Sequence, residues 1–463
     1  MSETFKDQGG ASTSEPSRLF RWIASKLFMT RLARPDYLRK SRAKHEKLRS
    51  KTGARAVVEY FHQVDDGYSH LAAQLLQQFS ERYDVDVICH LVSGPYGNNA
   101  PEPELLLNLA REDACNIAPH YGLDFPLNQA IPTHELVAQA SAILANQQAA
   151  GFIDCVIAVT TALWRHDQAG LTSLGKRLGS AGPTDVAIRL KQGNERRELL
   201  GHYSGAMFYY GKEWYWGVDR LYHLEARLAD LGLDMRSTEA MLAPRKEVET
   251  GAVKDHGTLS LEIYPSLRSP YTAIIFDRAV ELARNTGVKL VVRPVLPMVM
   301  RGVPATREKG TYIMTDCARE ARAAGTAFGP IYDPIGDPVR QCYSLYPWAC
   351  QQGKGSELIS SFLRRAFTEG VNTNKIGGLR LVVEQAGLDW ESAQAHLGNS
   401  AWEAELEQNR LAMYEAGLWG VPSLKLLDEH GKQVLALWGQ DRLWLFAKEI
   451  QRLLAEKIAK ATT

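Results

Sequence analysis

The chain has six cysteines, at 89, 115, 155, 317, 342 and 350, and no two of them stand in a Cys-x-x-Cys or a zinc-like spacing. A dithiol motif is therefore missing, and the thiols read as mostly buried, small apolar groups of a protein in a reducing cytoplasm. No run of about 18 apolar residues occurs, so no membrane-spanning helix is expected. The N-terminal residues lack the uninterrupted apolar core of a signal peptide. Net charge is also lacking: 54 Lys and Arg face 53 Asp and Glu, which leaves +1 and no global pull toward nucleic acid or membrane. What is present is ordinary globular composition, 45% hydrophobic and 23% charged, over 463 residues. That length suggests two or three domains.

The charge is uneven all the same. Residues 18–55 hold thirteen Lys or Arg and two acids. Within them "LFRWIASKLFMTRLAR" spaces Phe20, Ile23 and Leu27 along one helical face, with Lys26, Arg31 and Arg34 interleaved. Two readings fit: an interfacial basic helix that meets a membrane or an acidic partner, and a solvated helix packed on its own protein.

The chain then says one thing twice. "WGVDRL" at 216–221 returns as "WGQDRL" at 438–443, each after a glycine turn between two apolar runs. "EYFHQVDDGYSHL" lies over "EIYPSLRSPYTAI" at a constant offset of 203, which puts Glu59 on Glu262, Tyr68 on Tyr271 and Ser69 on Thr272. The offset persists into "VDVICHLV" over "VKLVVRPV" and becomes 222 at the Trp-Gly motif, so the second half carries 19 more residues in its middle. "VVEYF" reads as a buried strand. Tyr68, Leu71, Ala72, Leu75, Leu76, Phe79 and Tyr83 form the apolar stripe of an amphipathic helix. Strand, helix, strand implies a right-handed crossover and a parallel pair. Each half thus predicts β-α-β, a helical block at about 103–175 or 305–418, and β-β-α. Residues 236–257 are polar, weakly periodic and read as a linker.

On "SPYT" at 269–272, "VVRPVLPMVMRG" at 291–302, "GVPS" at 420–423 and "WGQDRL" at 438–443, the second half resembles the DsbA-like branch of the thioredoxin superfamily. The likeness spans roughly 259–455 and is nearest to kappa-class glutathione transferases and 2-hydroxychromene-2-carboxylate isomerases. It implies that Ser269 sits where thioredoxins keep a nucleophilic cysteine, and that the reactive sulfur comes from bound glutathione. It implies a cis bond at Val421-Pro422, whose backbone would anchor the cysteinyl unit, and a role for Gln440 and Asp441 at the γ-glutamyl end. Tyr271 belongs to the same motif. Ser269 and Asp441 are also plain helix-cap residue types. The loop asparagine usual in the family is missing, and Arg301, Arg307 or Lys309 could pair with a ligand carboxylate in its place.

In the first half, Asp66 and Gly67 stand at the Ser269-Pro270 position, and "HYSGAMF" at 202–208 replaces Val-Pro, with Tyr203 or a neighbour at that place. A carboxylate beside a thiolate disfavours the anion. His62, Asp65, Asp66 and His70 are metal-ligating types, but a loop-to-helix course turns the two histidines apart, and no metal is expected.

The expected fold class is α/β: two tandem thioredoxin-like domains, each with an α-helical insertion. The boundaries are 1–52 for a basic arm, 53–235 for a degenerate copy, 236–257 for the linker and 258–463 for the second domain. The expected function is a glutathione- or thiol-dependent isomerase or transferase that adds a bound thiolate to a small-molecule electrophile. A non-catalytic protein-binding module is the first alternative. A DsbA-like disulfide oxidoreductase is the second, disfavoured without Cys-x-x-Cys. No nucleic-acid partner is expected.

Overall fold

The stretch Val57–Gln63 forms strand β1, buried at every position after the first, Glu59, His62 and Gln63 included, as a strand covered on both faces must be. Strand β2, Asp86–Val92, lies parallel to it, with Val57 opposite Asp86 and Gln63 opposite Val92. The helix Gly67–Arg82 makes the crossover and buries Leu71, Leu75, Leu76 and Phe79. Strands β3, Met207–Tyr210, and β4, Glu213–Trp216, form a hairpin, and β3 runs antiparallel to β1. The sheet order is β2-β1-β3-β4, and the helix Gly217–Asp230 follows it.

A second sheet is built the same way. Strands β5, Ser260–Tyr264, and β6, Lys289–Val292, are parallel and joined by the helix Pro270–Thr286. Strands β7, Ser423–Leu427, and β8, Gln433–Trp438, form the hairpin, with β7 antiparallel to β5. The order is β6-β5-β7-β8, and the helix Leu443–Thr462 closes the chain. This is the β-α-β, helical block, β-β-α order that the sequence predicts.

The computed structural model describes residues 17–127, 130–303 and 305–462. The chain divides into two compact units, Arg39–Lys246 and Glu247–Thr463, the latter joined by the described residues up to Leu38. Residues 1–16 of the expected basic arm lie outside the described residues. Residues 236–257 contain no helix and no paired strand. Among the described residues no helix is long and apolar enough to cross a membrane.

The two sheets share contacts as well as order. Glu59 on β1 takes Arg196 at 2.6 Å and His90 of β2 at 2.8 Å. Glu262 on β5 takes Arg293, just past β6, at 2.7 Å and Lys425 of β7 at 2.7 Å. Burial pushes Glu59 up, but Arg196 and His90 outweigh it and bring it to about 2. Tyr68 donates to Asp113 at 2.6 Å, and Tyr271 donates to Asp316 at 2.8 Å. Ser69 Oγ accepts from the backbone N–H of Gln63, and Thr272 Oγ1 accepts from that of Ser266. Except for Arg196 and Lys425, which are not equivalent, these residues stand at the same 203-residue spacing seen in the sequence.

The registers divide the 19 extra residues. Met207 faces Trp216 as Ser423 faces Trp438, so the spacing is 216 at the first hairpin strand and 222 at the second. Thirteen of the extra residues therefore lie in the helical block and six within the hairpin.

The helical block of the N-terminal unit extends beyond the expected 175, to a last helix at Pro183–Leu199. Its polar composition hides it from a search for apolar stripes. Its contact with β2 runs instead through a glycine: a Cβ on Gly193 would lie 2.1 Å from the carbonyl oxygen of Leu91. Gly193→Ala is therefore expected to push this helix off the strand and to destabilise the unit by about 1–3 kcal/mol. Urea unfolding followed in that unit checks this, and an unchanged midpoint would refute the close approach.

Candidate functional site

The turn after β5 carries the sequence Ser266-Leu267-Arg268-Ser269 into the helix Pro270–Thr286. Ser269 has extended backbone, and its hydroxyl accepts the N–H of Thr272 at 3.1 Å, so it is the N-cap. Pro270 follows at the first helical position, where its missing N–H is not needed. Tyr343 fixes the turn from behind, its hydroxyl accepting the N–H of Leu267 at 3.3 Å and donating to the carbonyl of Val295 at 3.1 Å.

The Val421-Pro422 bond is cis, and the Ser269 hydroxyl donates to the Val421 carbonyl at 3.4 Å. Ser269 and Val421 are both half-buried. The Pro422 carbonyl accepts the N–H of Gly439 at 3.0 Å, which ties this loop to the turn Gln440–Arg442 that opens the last helix. That turn packs on the helix behind Ser269. The structure thus gathers Ser269, Val421, Pro422 and the 439–442 turn at the tip of one helix.

Other residues named from the sequence hold different posts. Tyr271 commits its hydroxyl to Asp316, whose other oxygen takes Arg319 at 2.6 Å. Gln440 is buried and donates its amide to Glu320 at 2.8 Å. Both tie the helix tip to the helix Arg307–Ala323. Asp441 is half-buried, with an oxygen 3.7 Å from Arg442. Of the three cations weighed for the missing asparagine, Arg301 is buried with Nε on the Leu296 carbonyl, and Arg307 is exposed. Lys309 lies over the Trp419 ring at 5.3 Å, next to the cis-proline loop. Burial brings its ammonium down to about 8.

Two features have no signal in the sequence. Trp419 and Trp438 meet edge to face at 5.7 Å, and a Cβ on Gly420 would lie 2.3 Å from the Trp438 indole nitrogen, so the indole lies across this glycine. Arg268, the residue before the cap, makes a two-pronged pair with Asp333 at 2.8 and 2.9 Å. The Asp333 loop is held in turn by the first described helix: Arg21 donates to the carbonyls of Asp333 and Ile335, and Ser25 Oγ accepts the N–H of Asp333. Sixty-five residues separate Arg268 from Asp333, and no periodicity links them.

The matching turn of the N-terminal unit is closed. Asp66 caps the helix Gly67–Arg82, and its Oδ2 accepts from both the N–H and the hydroxyl of Ser69 at 2.8 Å. Burial brings its carboxyl up to about 6, against those two hydrogen bonds. Gly67 is buried: a Cβ there would meet Ala114 at 3.0 Å and the Ala110 carbonyl at 3.1 Å. Ala206 receives the N–H of Gly217 on its carbonyl at 2.7 Å, the contact that Pro422 makes with Gly439. Gly205 and Ala206 therefore stand at the Val-Pro place, two and three residues past Tyr203, as the 216-residue spacing of the first hairpin strands requires. Gly205 abuts Gln63, whose Cβ would lie 2.5 Å from a Cβ built on it. His62 and His70 turn to separate partners, Tyr60 at 3.1 Å and Thr160 at 2.8 Å, and no metal-type cluster occurs among the described residues.

Residues 260–451 match the DSBA-like thioredoxin domain family. A 2-hydroxychromene-2-carboxylate isomerase of Sphingobium xenophagum is 24% identical over 193 residues, covering 40% of this chain and 95% of that protein. Among solved structures, a 2-hydroxychromene-2-carboxylate isomerase is 19% identical with a TM-score of 0.37, over 43% of this chain and 98% of its own. The cytosolic disulfide reductase DsbM of Pseudomonas aeruginosa is 16% identical with a TM-score of 0.33, over the same two shares. The four strands β5 to β8, the helix capped by Ser269 and the Val421-Pro422 loop together belong to a DsbA-like thioredoxin domain spanning residues 260–451.

Proposed function

We propose that the C-terminal unit binds a small thiol, with glutathione as the first choice, and presents its sulfur as a thiolate for addition to an electrophile. The observation that carries this is the half-buried Ser269 hydroxyl at a helix N-terminus, 3.4 Å from the Val421 carbonyl. No cysteine stands within 266–272 or 419–423, and Cys317, which packs near Tyr271, is fully buried, so the reactive sulfur is assigned to a ligand.

The chemistry follows from charge. A free thiol of pKa about 8.5 is only about 3% ionised at pH 7. A helix N-terminus and a hydroxyl donor both stabilise the anion. Ser269 releases the Val421 carbonyl and donates to the sulfur instead. The Val421 backbone then pairs with the cysteinyl unit, and Asp441 takes the ligand ammonium. Lys309 faces a ligand carboxylate. Tyr271 and Gln440 act as positioning residues through Asp316 and Glu320. The thiolate adds to an alkene conjugated to a carbonyl, a C–S bond forms, and the electron pair moves onto the carbonyl oxygen. Rotation about the former double bond and loss of the thiolate complete an isomerisation; protonation of the adduct carbon completes a transfer.

The N-terminal unit is then a degenerate tandem copy. Its identical strand order and the paired contacts at Glu59/Glu262, Tyr68/Tyr271 and Ser69/Thr272 support duplication. Its covered Gly67 and buried Asp66 support a silent role.

Calorimetric titration with glutathione tests the site. Wild type is expected to bind, and Ser269→Ala to bind about 10–100-fold more weakly, the worth of a hydrogen bond to a charged group. The thiolate absorbance of the bound ligand should titrate about 1–2 pH units lower on wild type than free in solution. Absence of heat with wild type, or a tighter variant, would refute this assignment. Binding of extended peptides without any thiol would instead favour a non-catalytic binding module.

A further inference from the structure

The first described helix is packed inside out. Arg18–Ile23, a wider turn over Ala24–Met29 and Thr30–Ala33 run as one helical stretch. Its inward face is largely polar. Arg21 reaches the carbonyls of Asp333 and Ile335, Ser25 takes the N–H of Asp333, and Thr30 both accepts from and donates to the backbone of Ile331. Those three side chains are buried. The large apolar residues point the other way: Leu19 is 67% exposed, Phe20 63%, Leu27 58% and Trp22 47%. Ile23 and Phe28 continue the same surface.

This outward face is not core that missed its partner, because the inward contacts fix which side is out. Nor is it scattered exposure of the ordinary kind, since six large apolar side chains fall within ten residues. Its charge is of one sign. Residues 17–35 contain five Lys or Arg and no acid, and Arg18, Arg31 and Arg34 are exposed. Apolar and aromatic residues with a cationic rim are the composition of a helix that lies in a bilayer interface, its rings at headgroup depth and its cations on anionic lipid. A second copy of this chain fits less well, because a two-fold contact would set two acid-free cationic segments against each other.

We infer that Leu19–Phe28 is a docking surface for an anionic lipid bilayer, held outward by Arg21, Ser25 and Thr30. The helix adsorbs on the surface and does not span it. The site proposed at Ser269 is not required for this, and the two stand or fall separately.

Co-sedimentation of the full chain with vesicles tests the inference. Wild type is expected to bind phosphatidylglycerol-containing vesicles and to remain in solution with pure phosphatidylcholine. Phe20→Glu with Leu27→Glu changes only exposed positions, leaves thermal unfolding unchanged and lowers partitioning at least tenfold. Arg18→Gln and Arg31→Gln each lower it about fivefold, the worth of one cation at an anionic surface. Added salt weakens wild-type binding. Failure to bind anionic vesicles, equal partition onto neutral ones, or full binding by the Phe20/Leu27 variant would overturn it. So would concentration-dependent self-association without vesicles that the same variant abolishes, which would make the occupant a second copy.

Discussion

Lowering the pH from 7 to about 4.5 is expected to destabilise the N-terminal unit far more than the C-terminal unit. Three histidines carry the effect. His62 is buried beside Tyr60 and Phe152. His70 lies between Thr160 and Phe125, with Asp124 and Arg165 near it. His202 accepts the N–H of Ser204, stacks on Tyr203 and lies near Arg197. Burial brings His62 and His202 down to about 3 and His70 to about 4. Unfolded, each takes its proton at about 6.5. Below that value the unfolded chain binds protons that the folded unit does not, so stability falls as pH falls. Asp66 works in the opposite direction. Burial raises it to about 6, so the folded unit binds its proton first and gains stability on acidification. Three groups against one leave a net uptake of about two protons on unfolding, or about 2–3 kcal/mol per pH unit through this window. A domain stable by about 5–15 kcal/mol loses a large share of that within two units. Glu59, held at about 2 chiefly by Arg196 against its burial, adds a further loss below about pH 4.5. The three histidines of the C-terminal unit, His256, His396 and His430, are not buried. Hydrogen exchange read peptide by peptide over 57–230 and 260–451 checks the contrast. His62→Gln should flatten the pH slope of the N-terminal unit by about one proton. Equal acid loss in both units would refute the assignment.

The same residues show how far the sequence carries. The strands, the crossover helices and the 203-residue spacing are legible because they rest on local periodicity, and periodicity survives when chemistry is lost. Glu59 over Glu262 was visible as an aligned pair, and its purpose, a buried carboxylate taking cations from neighbouring elements, was not. The helix Pro183–Leu199 was missed because a glycine, not an apolar stripe, seats it on β2. The Val-Pro equivalent falls at Gly205-Ala206 and not at Tyr203, and only strand pairing, which sets the spacing there at 216, reveals it. At the site, Ser269 could be named because a cap and a proline are local signals. The commitments of Tyr271 to Asp316 and Gln440 to Glu320 depend on a helix tens of residues away. The arm was legible as a striped basic helix, and which stripe faces inward was decided by carbonyls at Asp333 and Ile335 that no stripe encodes.

Asp333→Ala is expected to be among the most damaging single substitutions in the C-terminal unit, at about 3–5 kcal/mol, because it strands one partner of a largely buried ion pair. Asp333 is 6% exposed. Burial pushes its carboxyl up, but Arg268, with further help from the Ile335 N–H and Arg21, outweighs this and holds it below the ordinary carboxylate range. A carboxylate depressed in this way contributes stability that is present above the unfolded pKa of about 4 and is lost as pH falls through the folded value. Three structures converge on this one side chain and its backbone: the turn that delivers Ser269, through Arg268; its own loop, through Ile335; and the arm, through Arg21 and Ser25. Removing the carboxylate should therefore show in three readouts. The urea midpoint of residues 260–451 falls, trypsin cuts faster at Lys26 and Arg31, and glutathione binds more weakly because Arg268 no longer fixes the residue before the cap. Asp333→Asn keeps an acceptor and should cost less. Replacing both partners, with Arg268→Leu and Asp333→Leu, removes the uncompensated charge and should recover part of the stability, since a well-packed apolar pair often matches a buried ion pair. A loss below about 1 kcal/mol for Asp333→Ala, the range of an exposed pair, would mean that the arm and the Ser269 turn are held independently.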